Sequence, residues 1–377
     1  MDVFAAGPDR VRYGQLTVLE WSAVLRDCDT GTWTMTLADD EQGLARSVVE
    51  GWRVIAADET GTVFSGPVLS YGGDVGDESL TISGIDDTGL LAFRVTYPDP
   101  SKAAEQQSDA AYWKKSGSAG TLLDELIYRN AANGAIAARR LPSVFVDRGA
   151  STGGIGKGST VSINTRYKNL LEEARTLARS GGVSFWADQA EDSTNTFFRF
   201  REPDDLTDWV WFSMGDGGGL DGGSYSLSAP EVTNVLVAGQ GQGADRTIKE
   251  HWVAPGPWGL RIEQFQDRRD TDDPTELEQA GTDTLAEGAA SASASVEVVE
   301  VPGLVYGVDY RLGDIVRVDF GRAVIDEPVR AVELTGDDFG RTVKLTLGDH
   351  AAEDDNLPEY DKKMREFARR LRGLETI

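Results

Sequence analysis

Two stretches of the chain share one layout, and this internal repeat restricts the fold more than any other feature of the sequence. Residues 51–86 and 313–349 both open with a glycine and a short alternating strand, and both turn at a second glycine, Gly61 or Gly321. Each then reaches a Pro-Val pair, passes a polar Gly/Asp turn and closes on a strand that ends in Gly and Asp. Period-two apolar strands separated by Gly/Asp turns are typical of antiparallel hairpins and small barrels.

The repeat has two interpretations. It predicts two related small antiparallel β-barrels near the two ends of the chain, with residues 80–82 of one closing strand equivalent to residues 345–347 of the other. The alternative is that any two meandering hairpins share such a layout. If the two stretches adopt unrelated folds, the interpretation as two barrels loses its main support.

The chain of 377 residues is too long for one ordinary domain. We predict an α+β, β-dominated protein in which an α+β insertion separates the two barrels. Four segments are predicted: a first barrel over 1–98, the insertion over 99–222, a second barrel over 223–350 with a helical insertion near 273–292, and a C-terminal amphipathic helix over 351–377. The prolines at 98 and 100 mark the first boundary, and a glycine-rich linker over 215–223 marks the second.

Helical spacing of apolar residues predicts two helices in the insertion. The first covers 118–129 with Ser118 as its N-cap, and the second is capped by Thr165 and ends at Gly181-Gly182. The region 103–115 is predicted to be helical or irregular, and strands are predicted over 183–186, 197–200 and 209–212. Further along, residues 232–238 and 247–253 predict a hairpin, and Asp273-Pro274 predicts the start of a helix that runs to about residue 292.

The C-terminal segment is predicted to be amphipathic. Its apolar face consists of Met364, Phe367, Ala368, Leu371 and Leu374. Its other face is basic and consists of Lys362, Lys363, Arg365, Arg369, Arg370 and Arg372. We expect this helix to pack on a neighbouring protein or on its own chain.

The charge of the chain restricts its partners. There are 63 Asp and Glu residues against 37 Lys and Arg residues, which gives a net charge of −26. Because contacts with DNA phosphates need clustered basic residues, we predict no specific nucleic-acid binding. An acidic surface can line a channel to which DNA does not adhere. The simpler alternative is a high-GC or salt-adapted source, in which acidic surfaces are common.

A single cysteine, Cys28, excludes an intrachain disulfide framework and a cysteine-based zinc cluster. It lies in a strand-like run, so we expect a half-buried free thiol. The N-terminal residues lack the basic and apolar regions of a signal peptide, and no apolar run approaches the roughly 18 residues of a membrane span. We therefore expect neither export by the Sec route nor stable membrane insertion.

Two common catalytic motifs are missing from the sequence. The two histidines, His251 and His350, lie on different predicted elements, and no HExxH or CxxC motif is present. Residues 151–160 resemble a phosphate-binding loop, but Ser151 replaces the first glycine and Gly158 replaces the hydroxyl residue. The glycines of 239–243 lead into a predicted strand, whereas a dinucleotide loop leads into a helix. We interpret the two stretches as a flexible loop and a wide hairpin turn.

Acidic and aromatic clusters give no stronger candidate. Asp270, Asp272 and Asp273 lack the glycine and distal glutamate of an EF-hand, and Asp216 and Asp221 lack the repeat of a calcium-binding β-roll. Chance pairs among 63 acidic residues keep glycoside hydrolysis open. Five tryptophans can stack on sugars, although core or interface positions are commoner: Trp186, Trp209, Trp211, Trp252 and Trp258. We predict no catalytic residue, no cofactor site and no metal site.

Two runs carry a family resemblance. TRYKNLLEEARTLARSGGVSFWAD, at 165–188, precedes SAPEVTNVLVAGQGQGADR, at 228–246. Together they resemble the minor tail proteins of long-tailed phages that infect actinobacteria. The closing unit, with Gly313-Asp314 and Leu345-Thr346-Leu347-Gly348, is similar to the last barrel of phage tail-hub proteins, which are also called baseplate hubs. The shared motifs are short and glycine-rich, and they contain no catalytic residue.

The resemblance implies a structural role. Tail-hub proteins have two related β-barrels interrupted by α+β insertions, so three copies present six similar barrels and join a sixfold tail tube to a threefold tip. The resemblance therefore implies a homotrimer that closes the DNA channel at the tail tip of the virion and is made in the host cytoplasm. The implied partners are the distal tail ring protein, the tape measure protein and other tail-tip proteins, with no small-molecule substrate.

Two other functions stay open at this point. A receptor- or carbohydrate-binding protein of the tail tip would use the tryptophans, and a cell-wall hydrolase would use paired carboxylates. Some hub proteins carry a peptidase or lysozyme domain after the last barrel, and we expect none here because the sequence ends at Ile377. A related contractile injection system has hubs of the same appearance. We predict a protein that is not an enzyme.

Overall fold

The computed structural model describes residues 1–38, 44–73, 79–107, 111–148, 153–190, 192–337 and 340–348. The predicted C-terminal helix over 351–377 and His350 lie outside the described residues. Within them the protein is mostly β, as predicted, and 13 strands belong to one sheet.

The N-terminal strand set consists of seven strands and one short helix: β1 (Asp2–Ala6), β2 (Arg12–Gln15), β3 (Val18–Arg26), β4 (Thr32–Ala38), α1 (Leu44–Ser47), β5 (Arg53–Asp58), β6 (Gly61–Gly72) and β7 (Ser79–Ile85). Hydrogen-bonded neighbours follow the order β3-β4-β7-β6-β5-β1-β2. The N–H of Leu16 donates to the carbonyl of Val3 at 2.8 Å, so the chain that leaves β2 stays beside β1 as it enters β3.

The insertion that follows has its own sheets and its own core. Its elements are β8 (Trp113–Ser118), α2 (Ala119–Asn130), β9 (Val144–Val146), β10 (Thr160–Thr165), α3 (Leu170–Gly181), β11 (Ser184–Gln189) and β12 (Thr196–Arg201), preceded by 3-10 turns at Thr88–Phe93 and Ala104–Gln106. β8 pairs with β10, and β11 pairs with β12, which also pairs in parallel with β9. Helices α2 and α3 bury Leu123 and Leu170 in one cluster with Phe185 and Phe198.

Both predicted helices of the insertion are present, with corrected ends. Helix α3 is capped by Asn169, whose side chain accepts hydrogen bonds from the N–H groups of Leu171 and Glu172. Thr165, the predicted cap, ends β10, and its hydroxyl is hydrogen-bonded to that of Thr96 at 2.8 Å. Gly182 adopts a left-handed conformation and ends α3, as predicted. Residues 103–115 were predicted to be helical or irregular, and this is wrong for 113–115, which belong to β8.

The C-terminal part of the chain contains these elements: β13 (Trp211–Met214), β14 (Gly219–Ser228), β15 (Asn234–Ala238), β16 (Ile248–Trp252), β17 (Glu263–Asp267), α4 (Pro274–Glu287), β18 (Ser291–Val298), β19 (Ile315–Asp319), β20 (Val324–Asp337) and β21 (Gly340–Leu347). We call β13, β14 and β18–β21 the C-terminal strand set. Its pairings run β19-β13-β14-β18-β21-β20, and β20 pairs again with β19, so the hydrogen bonds return to their starting strand.

The remaining elements, β15–β17 and α4, form a separate outer module. Its sheet has the order β16-β15-β17, and α4 packs on β15 and β16 around Val235, Val237 and Leu277. Asp273 caps α4 as predicted, because its carboxylate accepts a hydrogen bond from the N–H of Thr275. The predicted end near residue 292 is wrong, since the helix stops at Glu287 and β18 begins at Ser291. The predicted boundary at residue 222 falls inside β14, where a linker was expected.

The two repeat stretches have matching strand registers. Pro67 of β6 lies opposite Arg53, and Pro328 of β20 lies opposite Ile315. Arg53 and Ile315 each follow the opening glycine of their stretch by two residues. Directly after the Pro-Val pair, both long strands have a bulge, at residues 68–70 and at residues 329–331. A bulge adds one residue and bends its strand, so the two long strands change partners at the same place.

The same match extends to strands outside the two stretches. β3 has a bulge between Val18 and Glu20 where it pairs with β4, and β14 has one between Leu220 and Gly222 where it pairs with β18. The ladders also correct the residue equivalence in the closing strands. Ile82 corresponds to Leu345, two residues away from the predicted equivalence, because both follow their bulge at the same distance along the ladder.

One ladder joins the two strand sets into the 13-stranded sheet. Residues 331–336 of β20 pair antiparallel with residues 21–26 of β3. Buried side chains from both sets, among them Met35, Ile82, Val296 and Leu345, belong to one hydrophobic cluster. The two sets therefore share a core as well as a sheet.

Candidate functional site

A cleft of about 540 Å³ with several charged side chains in its lining opens where the two strand sets meet the insertion. Its walls come from the N-terminal set (Asp27, Asp58), the insertion (Ser184, Asp188) and the C-terminal set (Arg311, Arg341). Because residues from all three parts of the chain line this cleft, its chemistry is the first test for an active site.

Asp27 connects all three parts of the chain. Its buried carboxylate accepts hydrogen bonds from Arg330 Nη1 and from Ser184 Oγ, both at 2.6 Å. Its own N–H donates to the carbonyl of Arg330 at 2.9 Å, which continues the β3–β20 ladder by one residue. A buried carboxylate is stable only when it is paired and hydrogen-bonded, so this arrangement favours one relative position of the three parts.

A second buried carboxylate, Asp87, ties the insertion to the N-terminal set. It pairs with Arg53 at 2.5 Å and accepts a hydrogen bond from Ser65 Oγ at 2.6 Å. Gln189 of β11 receives a hydrogen bond from Arg53 Nε at 2.9 Å and donates its N–H to Ser65 Oγ at 2.7 Å. The end of β11 is therefore fixed to β5 and β6.

Arginines complete the junction on the side of the C-terminal set. Arg201 of β12 donates to Asp314 at 2.7 Å and to the carbonyl of Leu312 at 2.6 Å. Arg341 of β21 pairs with Glu300 at 2.5 Å and with Asp58 at 3.6 Å. The cleft is thus bordered by ion pairs between different parts of the chain.

Two carboxyls near the cleft have raised pKa values. Burial raises the pKa of Asp86 to about 7, against the opposing effect of hydrogen bonds from the backbone of Gly89 and Gly31. Burial also raises the pKa of Asp188, although the neighbouring Arg199 acts in the other direction. A raised pKa is found in catalytic acids and also in structural carboxyls, so geometry has to distinguish the two.

The geometry favours a structural junction. Asp27, Asp58 and Asp188 each have an arginine partner, and Asp188 also accepts a hydrogen bond from Trp186 Nε1 at 2.8 Å. A general base needs a lone pair directed at substrate, whereas these oxygens are directed at protein donors. The arrangement can hold the parts of the chain together, and it nominates no catalytic pair.

The glycine-rich loop near 151–160 is used by the protein itself. Ser151 lies outside the described residues, and a strand follows the loop where a phosphate site needs a helix. Lys157 Nζ donates to the carbonyl of Phe200 at 2.8 Å, and the N–H of Gly158 donates to Glu202 at 2.7 Å. These donors are therefore engaged in holding the loop against β12.

The other glycine-rich run, 239–243, forms the turn between β15 and β16, which confirms the predicted hairpin. The turn ends in a short 3-10 segment, Gly243–Asp245. Arg246 Nε donates to the carbonyl of Gly239 at 2.8 Å. The run leads into β16 and not into a helix, as predicted.

The histidine and aspartate candidates lie apart from the cleft. His251 of β16 is half-buried, and its ring packs against Gly281 of α4 so closely that a Cβ there would lie 2.3 Å from Cδ2. Asp270 pairs with Arg268, and Asp273 caps α4. Asp216 and Asp221 are exposed. Within the described ranges, no three His, Cys, Asp or Glu residues are placed to hold a metal ion, and no helix is long and apolar enough to cross a membrane.

The tryptophans are distributed over several surfaces. Trp209 is 82% exposed and Trp211 is 51% exposed, and both lie beside β19 of the C-terminal set. Trp252 and Trp258 are exposed on the outer module. Trp186 is half-buried at the cleft. The five side chains therefore do not form one sugar platform within a single unit.

The burial and the backbone position of Cys28 differ from those predicted. It is buried, with 1% of its surface exposed, and lies in the turn between β3 and β4 with a φ of 55°. Its sulfur accepts a hydrogen bond from the N–H of Phe185 at 3.4 Å, and burial raises the pKa of the thiol well above its usual value. The prediction of a half-buried thiol in a strand was wrong because the residue sits under the insertion.

Two strand segments have an unpaired edge, a feature that the sequence did not predict. Residues 221–228 of β14 pair with β18 on one side, and residues 69–72 of β6 pair with β7 on one side. In the part of the chain that the structure describes, no strand pairs with their other sides. All residues of 69–72 are exposed, and residues 221–228 are exposed except for the half-buried Gly222. An unpaired strand edge is a template for pairing with another chain.

A comparison with protein families identifies the class of protein. The family model for siphovirus ReqiPepy6 Gp37-like proteins matches residues 12–349. No curated protein matches the chain in sequence.

Solved structures of phage tail proteins share the fold. The 43 kDa tail protein of prophage MuSo2 from Shewanella oneidensis is 14% identical with a TM-score of 0.57, covering 94% of this chain and 100% of that one. A tail protein from Neisseria meningitidis MC58 is 12% identical with a TM-score of 0.56, covering 92% and 96%. Prophage tail protein gp18 from Listeria monocytogenes EGD-e is 13% identical with a TM-score of 0.54, covering 98% and 99%.

Proposed function

Because the chain belongs to a siphovirus tail-protein family, that of the ReqiPepy6 Gp37-like proteins, we propose that it is a trimeric hub at the tail tip. In this role it joins the sixfold tail tube to a threefold tip and closes the DNA channel. The observation that carries the proposal is the register match between the two strand sets, which gives one chain two similar building blocks.

Each strand set forms one six-stranded barrel in this proposal. In the C-terminal set the hydrogen bonds return from β20 to β19. In the N-terminal set β2 and β3 act as one strand, which lies beside β1 at its start and beside β4 at its end. Bulges at the same places let the long strands bend from one partner to the next, which a small closed sheet requires.

Three copies then supply six similar barrels. A closed ring needs a contact that repeats around an axis, and two barrels of matching geometry in one chain meet that need with half the number of copies. The shared core and the β3–β20 ladder keep the two barrels of one chain in a fixed relation. That rigidity supports a ring of defined diameter.

The proposed domain limits follow the ladders. The first barrel extends over 1–98 and the insertion over 99–205. The second barrel begins near Leu206, whose N–H donates to the carbonyl of Ile315 at 2.9 Å, and it continues to residue 348. The outer module over 231–288 interrupts it. The N–H groups of Glu231 and Val232 both donate to the carbonyl of Gly288, so the two ends of the module meet.

The ionic cleft has a structural role in this proposal, and the chain is not an enzyme. Its arginine–carboxylate pairs fix the insertion against both barrels. The net charge of −26 fits a channel that DNA passes without adhering. The distal tail ring protein and the tape measure protein are the expected neighbours, in a tail made in the host cytoplasm.

Hydrodynamic and imaging measurements test the hub proposal. We expect sedimentation velocity and native mass spectrometry to give a species of about 122 kDa, three times the chain mass of 40.7 kDa. Cryo-electron microscopy of purified virions is expected to locate three copies in a ring of six barrels at the distal end of the tube. Density for the chain elsewhere in the virion would contradict the proposal.

A further inference from the structure

The ladder between β3 and β20 joins the two strand sets inside one chain, and both of its strands have counterparts elsewhere in the same chain. β14 takes the place of β3, because β14 pairs with β18 as β3 pairs with β4 and has its bulge at the same position. β6 takes the place of β20, because both carry the Pro-Val pair and the bulge that follows it. The counterparts of the two joined edges are the edges of residues 221–228 and 69–72, which no strand of the described residues pairs with. We call them the two free edges.

The equivalence can be followed residue by residue. Ala331 and Val332 follow the bulge of β20 as Ser70 and Tyr71 follow the bulge of β6. On the other strand, Trp21 lies opposite Met35 of β4, and Gly223 lies opposite Val296 of β18. Met35 and Val296 are equivalent because they pair with Ile82 and Leu345. Counting along the strands, Leu25 and Arg26 correspond to Leu227 and Ser228.

The residues of the internal ladder are buried, whereas their counterparts on the two free edges are exposed. Val332 and Leu25 are register partners in the internal ladder, and they are 0% and 6% exposed. Their counterparts Tyr71 and Leu227 are 44% and 47% exposed. Large apolar side chains therefore lie on the surface at the two positions whose equivalents form a buried pair. Removing such surface from water is favourable, so an exposed pair of this kind predicts a partner.

We propose that β14 of one copy pairs antiparallel with β6 of the next copy and repeats the internal β3–β20 ladder between chains. The register is that of the internal ladder: Ser70 lies opposite Ser228, Tyr71 opposite Leu227, and Gly72 opposite Ser226. The occupant of each free edge is thus a second copy of this chain. The number of copies in the ring, three, rests on the proposed function.

The contact is head-to-tail, because the two edges belong to different strand sets. Each copy offers one β14 edge and one β6 edge, so internal and intermolecular ladders alternate around a ring. Such a heterologous contact closes when the rotation from one barrel to the next is the same at every junction. Strand addition supplies main-chain hydrogen bonds, and the alternate side chains supply specificity. Gly222, Gly223, Ser224 and Ser226 have little or no side chain to obstruct an approaching backbone. The larger Tyr225 packs on Phe320 of the same chain, with ring centroids 4.6 Å apart.

Disulfide cross-linking in the full chain tests the register. Two double variants place cysteines at adjacent facing pairs, Tyr71→Cys with Leu227→Cys and Ser70→Cys with Ser228→Cys. Adjacent pairs in an antiparallel ladder alternate between a wider and a closer spacing, so one of the two has the closer geometry. We expect at least one double variant to give covalent dimers and trimers on a non-reducing gel after mild oxidation, with more than half of the protein cross-linked.

Matched controls make the result specific. Tyr71→Cys with Ser226→Cys shifts the pair by one residue and places the thiols on opposite faces, so we expect no cross-link. Each single variant is expected to stay monomeric on the gel, and an equal mixture of Tyr71→Cys and Leu227→Cys is expected to give dimers only. Cys28 is buried and is retained in every variant.

Each contrary outcome has a defined meaning. A single variant that cross-links to itself indicates a symmetric contact and overturns the proposed ladder. A trimer in sedimentation without a cross-link in either double variant also overturns the ladder, while the proposed hub stands. A chain that stays monomeric at every concentration overturns both.

A charge substitution gives a second, independent measurement. Leu227→Asp places a carboxylate opposite Tyr71 in the proposed ladder, and we expect the dissociation constant of the assembly to rise at least tenfold with an unchanged circular dichroism spectrum. Leu260→Asp is the matched control, since Leu260 is 44% exposed on the outer module. Equal weakening by both substitutions would contradict the proposal.

Discussion

At the scale of single residues, Asp86 is the carboxyl whose ionisation the fold opposes most directly. It closes the earlier repeat stretch and lies beneath the turn that joins β3 to β4. One of its oxygens accepts a hydrogen bond from the N–H of Gly89 at 3.0 Å, and a Cβ on Gly31 would lie 2.8 Å from the other. Burial raises the pKa of this group to about 7. In an unfolded chain the pKa of an aspartate is about 3.9.

This difference predicts a pH dependence of stability. Between pH 4 and 7 the folded chain holds a proton on Asp86 that the unfolded chain has released, so the free energy of unfolding falls as pH rises through this window. Asp86→Asn removes the ionisation. We expect the variant to gain about 2 to 3 kcal/mol relative to the wild type between pH 5 and pH 8, as measured by chemical unfolding at several pH values.

The exposed Asp216→Asn variant is the control and should show no such trend. A constant difference between the Asp86→Asn variant and the wild type across this pH range would show that Asp86 ionises normally in the folded chain.

The environments of individual side chains were the least predictable feature from the sequence. Cys28, Asp27 and Asp87 acquire their environments from partners on other elements, among them Phe185, Arg330 and Arg53. No local pattern announces such partners. The expectation that the two histidines and the glycine-rich loops carry no chemistry came from motif spacing alone, and it remains a prediction.

At the scale of elements, the cap of α3 decides where the main helix of the insertion begins. Asn169→Ala removes an acceptor for the N–H groups of Leu171 and Glu172 and a hydrogen bond from Asn169 Nδ2 to the carbonyl of Ala92. Loss of an N-cap costs about 1 kcal/mol. We expect the free energy of unfolding to fall by about 1 to 2 kcal/mol, as measured by urea denaturation.

Ser118→Ala offers a matched comparison at the start of α2. Ser118 occupies the N-cap position, but its side chain makes no cap hydrogen bond and instead contacts the hydroxyl of Thr121. We expect this variant to lose less than half as much stability as Asn169→Ala. An equal loss in both variants would show that the cap does not determine the cost.

Elements were predictable where the local signal was unambiguous. Apolar spacing located α2 and α3, the Asp-Pro pair located the start of α4, and Gly-rich turns located the β15–β16 hairpin. β14 was missed because its Gly and Ser residues suggest a linker, and its strand character depends on pairing with β18, which follows some 70 residues later. The outer module was predicted only in pieces, since its parallel β15–β17 ladder joins distant residues.

At the scale of the whole molecule, the outer module is predicted to be separable from the rest of the chain. It has its own core, and its two ends meet at the hydrogen bonds from residues 231 and 232 to Gly288. Its side-chain contacts with the insertion include Gln279 to the backbone of Ser162 and Lys114 to Glu276. The connection therefore resembles a loop that carries a small unit.

Excision tests this separability. Replacing residues 232–287 by two glycines is expected to leave a folded chain that unfolds cooperatively and still assembles to the same number of copies. Circular dichroism, thermal unfolding and sedimentation velocity give the readouts. Replacing residues 113–165 of the insertion is the contrasting deletion, because it removes part of a packed core and is expected to abolish folding. A shortened chain without the outer module that aggregates would show that the module supports the strand sets.

The largest feature of the molecule was also the one most visible in the sequence. The repeat of 51–86 in 313–349 was found from the spacing of its Gly, Pro and Asp residues, and the strand registers of the two stretches match. The ladder between β3 and β20 could not be found in the same way, because edge pairing is set by main-chain groups that every residue carries. Register was misjudged by two residues in the closing strands for the same reason.

The matched strand registers also determine which segments lie at equivalent places around an assembly. The chain passes from β3 to β4 through the short turn 27–31, whereas at the equivalent place it passes from β14 to β18 through residues 229–290, which contain the outer module. Around a ring of six barrels, a short turn covered by the insertion and a segment that carries the outer module would therefore alternate. A ring of six similar barrels would carry only three outer modules. A neighbouring protein that contacts these modules could therefore bind in three orientations and not in six.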